Sequence, residues 1–337
     1  MKEAMLYTAT GGGTVRCGLC AHRCAIKDGG HGVCGVRVNQ GGVLYTANYD
    51  KVVATHVDPI EKKPLFHYKP GSLSYSIATA GCNFRCTFCQ NYHISQWTHD
   101  HGYDLPGESV PPEEIVRQAR SAGCETIAFT YTEPTIFAEL AYDTAKLAAP
   151  HGIDGVFVSN GYMTAEMVDV FGPLIKAANI DLKAFREASY RETAGAKLQP
   201  VLDSIRYLRE KGVWVEVTTL VIPGFNDEDA ELKEMAEFLA AVDAGMPWHL
   251  SAFHPTYHML DRTPTGLRTL HRAHDIGRAA GLKYVYCGNV PGNPYESTLC
   301  PSCSASLIER EGYRVRMRGL SRGHCAACGE AIPGVFG

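Results

Sequence analysis

The chain has 337 residues, 45% of them hydrophobic and 20% charged, with a formal net charge of −4. That suits one large soluble domain, or a core domain with small appendages, and excludes a disordered or fibrous chain. It offers no basic footprint for nucleic acid or an anionic membrane, and no run approaches the roughly 18 apolar residues of a membrane helix.

Eleven of the thirteen cysteines fall into three groups, at 17/20/24/34, 82/86/89 and 300/303/325/328; Cys124 and Cys287 stand alone. The first residues lack the apolar run of a secretory signal, so a cytoplasmic location is expected, where thiols stay reduced and clustered cysteines bind metal rather than pair. The first group, Cys17, Cys20, Cys24 and Cys34, is a closed set of four ligands that fits zinc or a [4Fe-4S] cluster alike. The segment "DPIEKKPLFHY" (58–68) then offers Glu61, Lys62, Lys63 and His67, either as a cover for a site or as a solvated connector.

From 72 the chain alternates strand-like and helix-like segments. Strands are predicted at 72–79, 126–132, 155–160, 179–185, 213–222, 248–253 and 282–288. Helices are predicted at 111–123, 136–152, 164–178, 199–212, 226–242 and 266–281, from apolar residues at helical spacing. Six β-α units and a final strand imply an α/β fold with a parallel sheet, open or closed into a complete or partial barrel. In a barrel the chemistry sits at the C-terminal strand ends. Three parts follow: a four-cysteine module and connector at 1–70, a barrel at 71–290 and a second four-cysteine module at 291–337.

After the first strand, "GCNFRCTFCQN" places Cys82, Cys86 and Cys89 in a C-x3-C-x2-C spacing with no fourth cysteine nearby. Three thiolates can hold three irons of a cubane and leave the fourth open to a substrate or cofactor. With Phe88 before the last cysteine, on the first loop of a β/α barrel, the stretch resembles the radical S-adenosylmethionine (SAM) superfamily. The resemblance implies a partial (β/α)6-type TIM barrel, a [4Fe-4S] cluster, SAM bound at the open iron, a low-potential electron donor, and hydrogen abstraction from a small-molecule or peptide substrate.

Further segments are similar to that superfamily. "YTEP" resembles its G-G-E-P-like motif at Glu133 and Pro134 only, which implies Glu133 as partner of the SAM amino group; a helix-start glutamate is the plainer alternative. "VSNGY" and "DLKAF" resemble pocket segments of pyruvate formate-lyase activating enzymes, implying that Ser159, Asn160, Asp181 and Lys183 line the SAM site with Phe88. An internal Asp181–Lys183 ion pair is the alternative there. His254 and Cys287, at later strand ends, are candidate catalytic groups for proton or hydrogen-atom transfer. The last group, Cys300, Cys303, Cys325 and Cys328, is C-x2-C-x21-C-x2-C, a zinc-ribbon pattern around a short two-stranded excursion. Zinc is also the first choice for the N-terminal group, because a second relay is not needed to cleave SAM.

Jointly, "CGLCAHRC", "DPIEKKPLFHYKPGS", the three-cysteine loop, "YTEPT" and "CPSC…CAACGEAIPGVFG" resemble the radical SAM component of the AmmeMemoRadiSam system. That implies AMMECR-like and Memo-like partners, but no reaction. Activation of a glycyl-radical protein, and a non-catalytic metal- or nucleic-acid-binding scaffold, are the competing functions.

Overall fold

The computed structural model describes residues 1–336. Its centre is a nine-stranded, mostly parallel sheet. We label strands β1 (Lys51–Pro59), β2 (Leu73–Thr79), β3 (Thr126–Phe129), β4 (Asp154–Ser159), β5 (Ile175–Asp181), β6 (Trp214–Val221), β7 (Trp248–Ala252) and β8 (Val285–Gly288). Strands β2 to β8 run parallel and pair in chain order, and β8 does not return to β2, so the barrel stays open. At the β2 edge, β1 pairs antiparallel, and Glu108–Ser109 adds a short ninth strand. No described helix is long and apolar enough to cross a membrane.

The crossover helices are α1 (Pro112–Ser121), α2 (Ala138–Ala148), α3 (Ala165–Phe171), α4 (Gln199–Glu210), α5 (Asp229–Asp243) and α6 (Leu267–Ala279). Proline opens α1 and the Thr164 hydroxyl caps α3 by accepting from Met167 N, the start signals these sequences advertise. Alternation along the strands assigns the two faces. Ile127, Phe129, Phe157 and Ile180 join the main core with helix residues such as Leu140, while Ala128, Val156, Ala177 and Trp214 form a second cluster with Ile60, Leu65 and Tyr68.

Two expectations need correction. Strand β5 begins at Ile175 and ends at Asp181, rather than spanning 179–185, because α3 stops at Phe171 and the Gly172–Leu174 turn contains Pro173. An interior proline ends a helix, and that boundary releases "IKAAN" to the sheet. The third strand ends at Phe129, since Tyr131 takes a left-handed φ of 64° that a strand does not accommodate.

The segment 60–68 is not a solvated connector. It is threaded into the interior, with Ile60, Leu65 and His67 fully buried and Asn179 Nδ2 donating to Pro64 O at 2.8 Å. Beneath it Glu216 accepts from Phe66 N (2.9 Å), His67 N (2.7 Å) and Trp214 Nε1 (3.0 Å), with His249 Nε2 at 2.6 Å. The His67 ring reaches Tyr286 Oη and Pro333 O, both at 2.7 Å, so this floor also ties the C-terminal segment to the barrel. There, Ser306–Glu311 and Arg314–Met317 pair antiparallel, the expected two-stranded excursion. Two small antiparallel sheets build the N-terminal segment.

Candidate active site

The loop after β2 crosses the open end of the barrel and is held on several sides. Arg85 N donates to Ala194 O and Thr87 N to Thr193 O, joining it to the short helix Glu187–Ala194, while Asn91 Nδ2 donates to Tyr131 O. Gly81 begins the loop at φ 103°, and a Cβ there would meet Val36 at 3.0 Å and Cys34 O at 3.3 Å. Only glycine lets the loop pass so close to the N-terminal segment.

This route brings Cys82, Cys86 and Cys89 to one cavity with Phe88, Glu133, Asn160, Asp181 and Lys183. Thr218 and Leu220 of β6, Ser251 of β7 and the lysines Lys62 and Lys63 complete its lining. Cys82 and Cys86 are buried and Cys89 is half-buried. Phe84 N points at Cys82 Sγ from 3.3 Å, and Ser95 Oγ lies 3.1 Å from Cys89 Sγ. Burial pushes the Cys86 thiol up to about 12, with the Lys183 ammonium opposing it. Such sulfurs stay protonated until a cation compensates their charge.

Glu133 is fully buried at the end of β3 and is held by four donors. Its Oε1 accepts from Thr135 N (3.0 Å), Thr135 Oγ1 (2.5 Å) and Ser159 Oγ (2.7 Å); its Oε2 accepts from Asn160 N at 2.8 Å. Burial raises its pKa above the ordinary carboxylate value, and these donors pull it back. The helix-start reading therefore holds locally, since Glu133 caps the turn Pro134–Phe137, yet the same carboxylate joins two strand ends. Asn160 continues the chain of contacts: Nδ2 donates to Asn83 Oδ1 at 2.7 Å and lies 3.9 Å from Cys82 Sγ. Gly161 turns the chain at φ 71°, where a Cβ would sit 2.7 Å from Ile180.

Asp181 and Lys183 do form the internal ion pair, at 3.0 Å, but both also face the cavity. Ser159 serves Glu133 rather than the cavity wall. The two catalytic candidates are not brought in. His254 is exposed and outside the lining, and the buried Cys287 turns its sulfur to Leu270 O of α6 at 3.6 Å. Strand parity explains the second case, since its neighbour Tyr286 faces the interior and Cys287 must face the helices.

Sequence reasoning missed a cluster at the cavity's inner wall. Asp58 accepts from Lys62 Nζ (2.8 Å), Lys63 Nζ (2.7 Å), Ser76 Oγ (2.9 Å) and Tyr131 Oη (2.5 Å). These donors hold Asp58 well below the usual carboxylate range despite burial, whereas burial outweighs the shared carboxylate at Lys63 and brings it down to about 8. Two lysines on one aspartate, in "DPIEKK", were the signal.

Residues 76–239 match the model of the Radical SAM superfamily. Those residues form a Radical SAM superfamily domain. An uncharacterized protein of Methanocaldococcus jannaschii is 42% identical over 335 residues, 98% of this chain and 99% of that protein. The similarity to glycyl-radical activating enzymes is distant. Pyruvate formate-lyase 1-activating enzyme of Escherichia coli is 24% identical over 47% of this chain and 65% of its own, and isethionate sulfite-lyase activating enzyme of Nitratidesulfovibrio vulgaris is 32% identical over 45% and 50%. The chain thus spans half to two thirds of those enzymes. Among solved structures, a radical SAM methyltransferase from Sphaerobacter thermophilus shares the fold with a TM-score of 0.51 at 18% identity, over 66% of this chain and 67% of that one.

A Radical SAM domain implies a [4Fe-4S] cluster and SAM, and the cavity suits them: two buried thiols, one half-buried, and a fixed carboxylate line the same space. The C-terminal group is a separate candidate metal site, with the Cys300, Cys303, Cys325 and Cys328 sulfurs all within 4.8 Å of one another.

Proposed function

We propose that this chain is a radical SAM enzyme in which Cys82, Cys86 and Cys89 hold the cluster and Glu133 receives the SAM amino group. The observation that carries it is the convergence of these four side chains on one cavity through Asn160, which donates from its backbone to Glu133 and from its side chain to Asn83 beside Cys82. When bound, the cluster and SAM supply one-electron reductive cleavage and a 5′-deoxyadenosyl radical that abstracts hydrogen from substrate.

The protein's part is positioning. Four donors fix the Glu133 carboxylate, so a bound ammonium meets a preset acceptor. Asp181, Lys183 and Phe88 line the same cavity, and Ser159 and Asn160 lock the β4 end to Glu133. Substrate would lie toward Lys62, Lys63 and Tyr131, a small molecule or a peptide strand.

In the C-terminal group, Cys300–Cys328 and Cys303–Cys325 sulfur separations are 3.6 and 3.7 Å. A tetrahedral zinc with bonds of about 2.3 Å needs about 3.8 Å, which these separations fit, and we take zinc as the ion there because its four ligands form two closed knuckles. A cytoplasmic setting, a low-potential electron donor and the AMMECR-like and Memo-like partners belong to this proposal too.

The test is anaerobic reconstitution, reduction with dithionite and addition of SAM, beside a Cys86→Ala variant. Release of 5′-deoxyadenosine by wild type alone supports the reading; failure of wild type to assemble any iron cluster overturns it. The likeness to activating enzymes favours a second reading, transfer of the radical to a glycine of a partner protein. A glycyl-radical spectrum on a candidate partner after SAM cleavage would support that one.

A further inference from the structure

We infer that Cys17, Cys20, Cys24 and Cys34 hold a second iron–sulfur cluster of the [4Fe-4S] type, where sequence spacing left zinc and a cluster open and zinc was preferred only because SAM cleavage needs no second relay. The two four-cysteine groups differ in how far apart their ligands stand. Among the described residues, the C-terminal sulfurs all lie within 4.8 Å of one another, whereas residues 17–34 do not draw three ligand sulfurs within that span. One tetrahedral zinc requires separations of about 3.8 Å between its sulfurs. A cubane separates its ligands more widely, because each thiolate binds a different iron.

The four cysteines line one hollow between the N-terminal segment and the barrel. Leu19, Ile26, Val33 and Ile136 share its wall, leaving His22 and Arg37 as its polar side chains. Arg37 is an independent observation. It is 2% exposed, its two terminal nitrogens are taken by Glu139 at 2.8 and 2.6 Å, and its Nε has no partner. An orphaned buried N–H is costly, and sulfide or thiolate of a cluster in this hollow would satisfy it. The same guanidinium lies close enough to Cys17 and Cys34 to favour their thiolates against burial. Val33 N already points at Cys24 Sγ from 3.5 Å, the backbone contact that stabilises ligated sulfur.

The site abuts the first one. His22, between Cys20 and Cys24, is bonded through Nε2 to Asn83 O at 2.8 Å, and Asn83 follows Cys82. Ala21 N donates to Tyr162 O, and Thr164 Oγ1 to Gly18 O, so the hollow is built onto the β4 end of the barrel.

The experiment uses full-length protein, purified and reconstituted without oxygen, as wild type, as Cys82→Ala/Cys86→Ala/Cys89→Ala and as Cys20→Ala/Cys34→Ala. Iron, acid-labile sulfide and zinc are counted, and Mössbauer spectra recorded. About eight irons in wild type and about four in each variant are expected, with zinc at about one throughout. Wild type holding about four irons and about two zincs overturns the inference, as does a folded triple variant that retains no iron. If Cys20→Ala/Cys34→Ala fails to fold, the wild-type and triple-variant counts still decide. The reading of the first site fails separately: there the triple substitution would leave the iron count unchanged.

Discussion

Replacing Glu216 with glutamine keeps the shape of the barrel floor and removes half of its acceptor capacity. Each carboxylate oxygen serves two groups: Oε1 takes His67 N and Trp214 Nε1, Oε2 takes Phe66 N and faces His249 Nε2. A glutamine amide can turn its NH2 only toward one of these pairs. The less costly choice is the Oε2 side, where His249 can change tautomer and accept, leaving Phe66 N orphaned. An orphaned buried donor costs about 1–3 kcal/mol, and losing the charge from the remaining bonds about 1 kcal/mol more. Glu216→Gln should therefore destabilise by about 2–4 kcal/mol, and Glu216→Leu, which orphans every donor, by more. The assay is urea unfolding at neutral pH with wild type and variants at equal metal content, followed by tryptophan fluorescence, which includes Trp214. Because Phe66 and His67 also hold Arg310 and Pro333, resistance of the C-terminal segment to protease should fall in parallel. A Glu216→Gln midpoint indistinguishable from wild type would refute the view of Glu216 as the organiser of the floor.

Glu133→Gln should leave the iron content and cluster spectrum intact while weakening SAM binding roughly 10- to 100-fold, the loss of a charge-assisted contact, as measured by equilibrium titration. Gly161→Ala should destabilise by about 1–3 kcal/mol and lower SAM affinity, because it strains a φ of 71° and presses a methyl onto Ile180; thermal melts and the same titration check this. Lys63 has a folded pKa of about 8 against 10.5, so the folded state binds fewer protons across that window. Stability from this group should rise with pH from about 8 to 10.5, by up to about 3 kcal/mol, and the wild-type minus Lys63→Met difference in unfolding free energy should show that slope. Cys300→Ser/Cys325→Ser should lose about one metal ion per chain while the iron held in the barrel remains, read by elemental analysis.

The order of strands and helices from 72 onward, and the cysteine loop after the first parallel strand, were legible from sequence because both are local patterns. Periodicity sets helix against strand, and ligand spacing along a short loop is set by the chain itself. Where a local signal was misread, as at Pro173, the boundary moved and β5 came four residues early. The joining of Glu133 to Asn160, and of Asn160 to Asn83, was not legible, since those contacts span 27 and 77 positions and depend on which strand ends the barrel places side by side. Nor was the direction of Cys287, which parity turns toward α6, or the path of 60–68, whose Lys63 and His67 enter the interior because Asp58 and Glu216 wait there as partners. The two four-cysteine groups both read in sequence as closed sets of four ligands. Only folding decides how far apart their sulfurs stand, because ligand separation is a distance through space that sequence spacing bounds without setting.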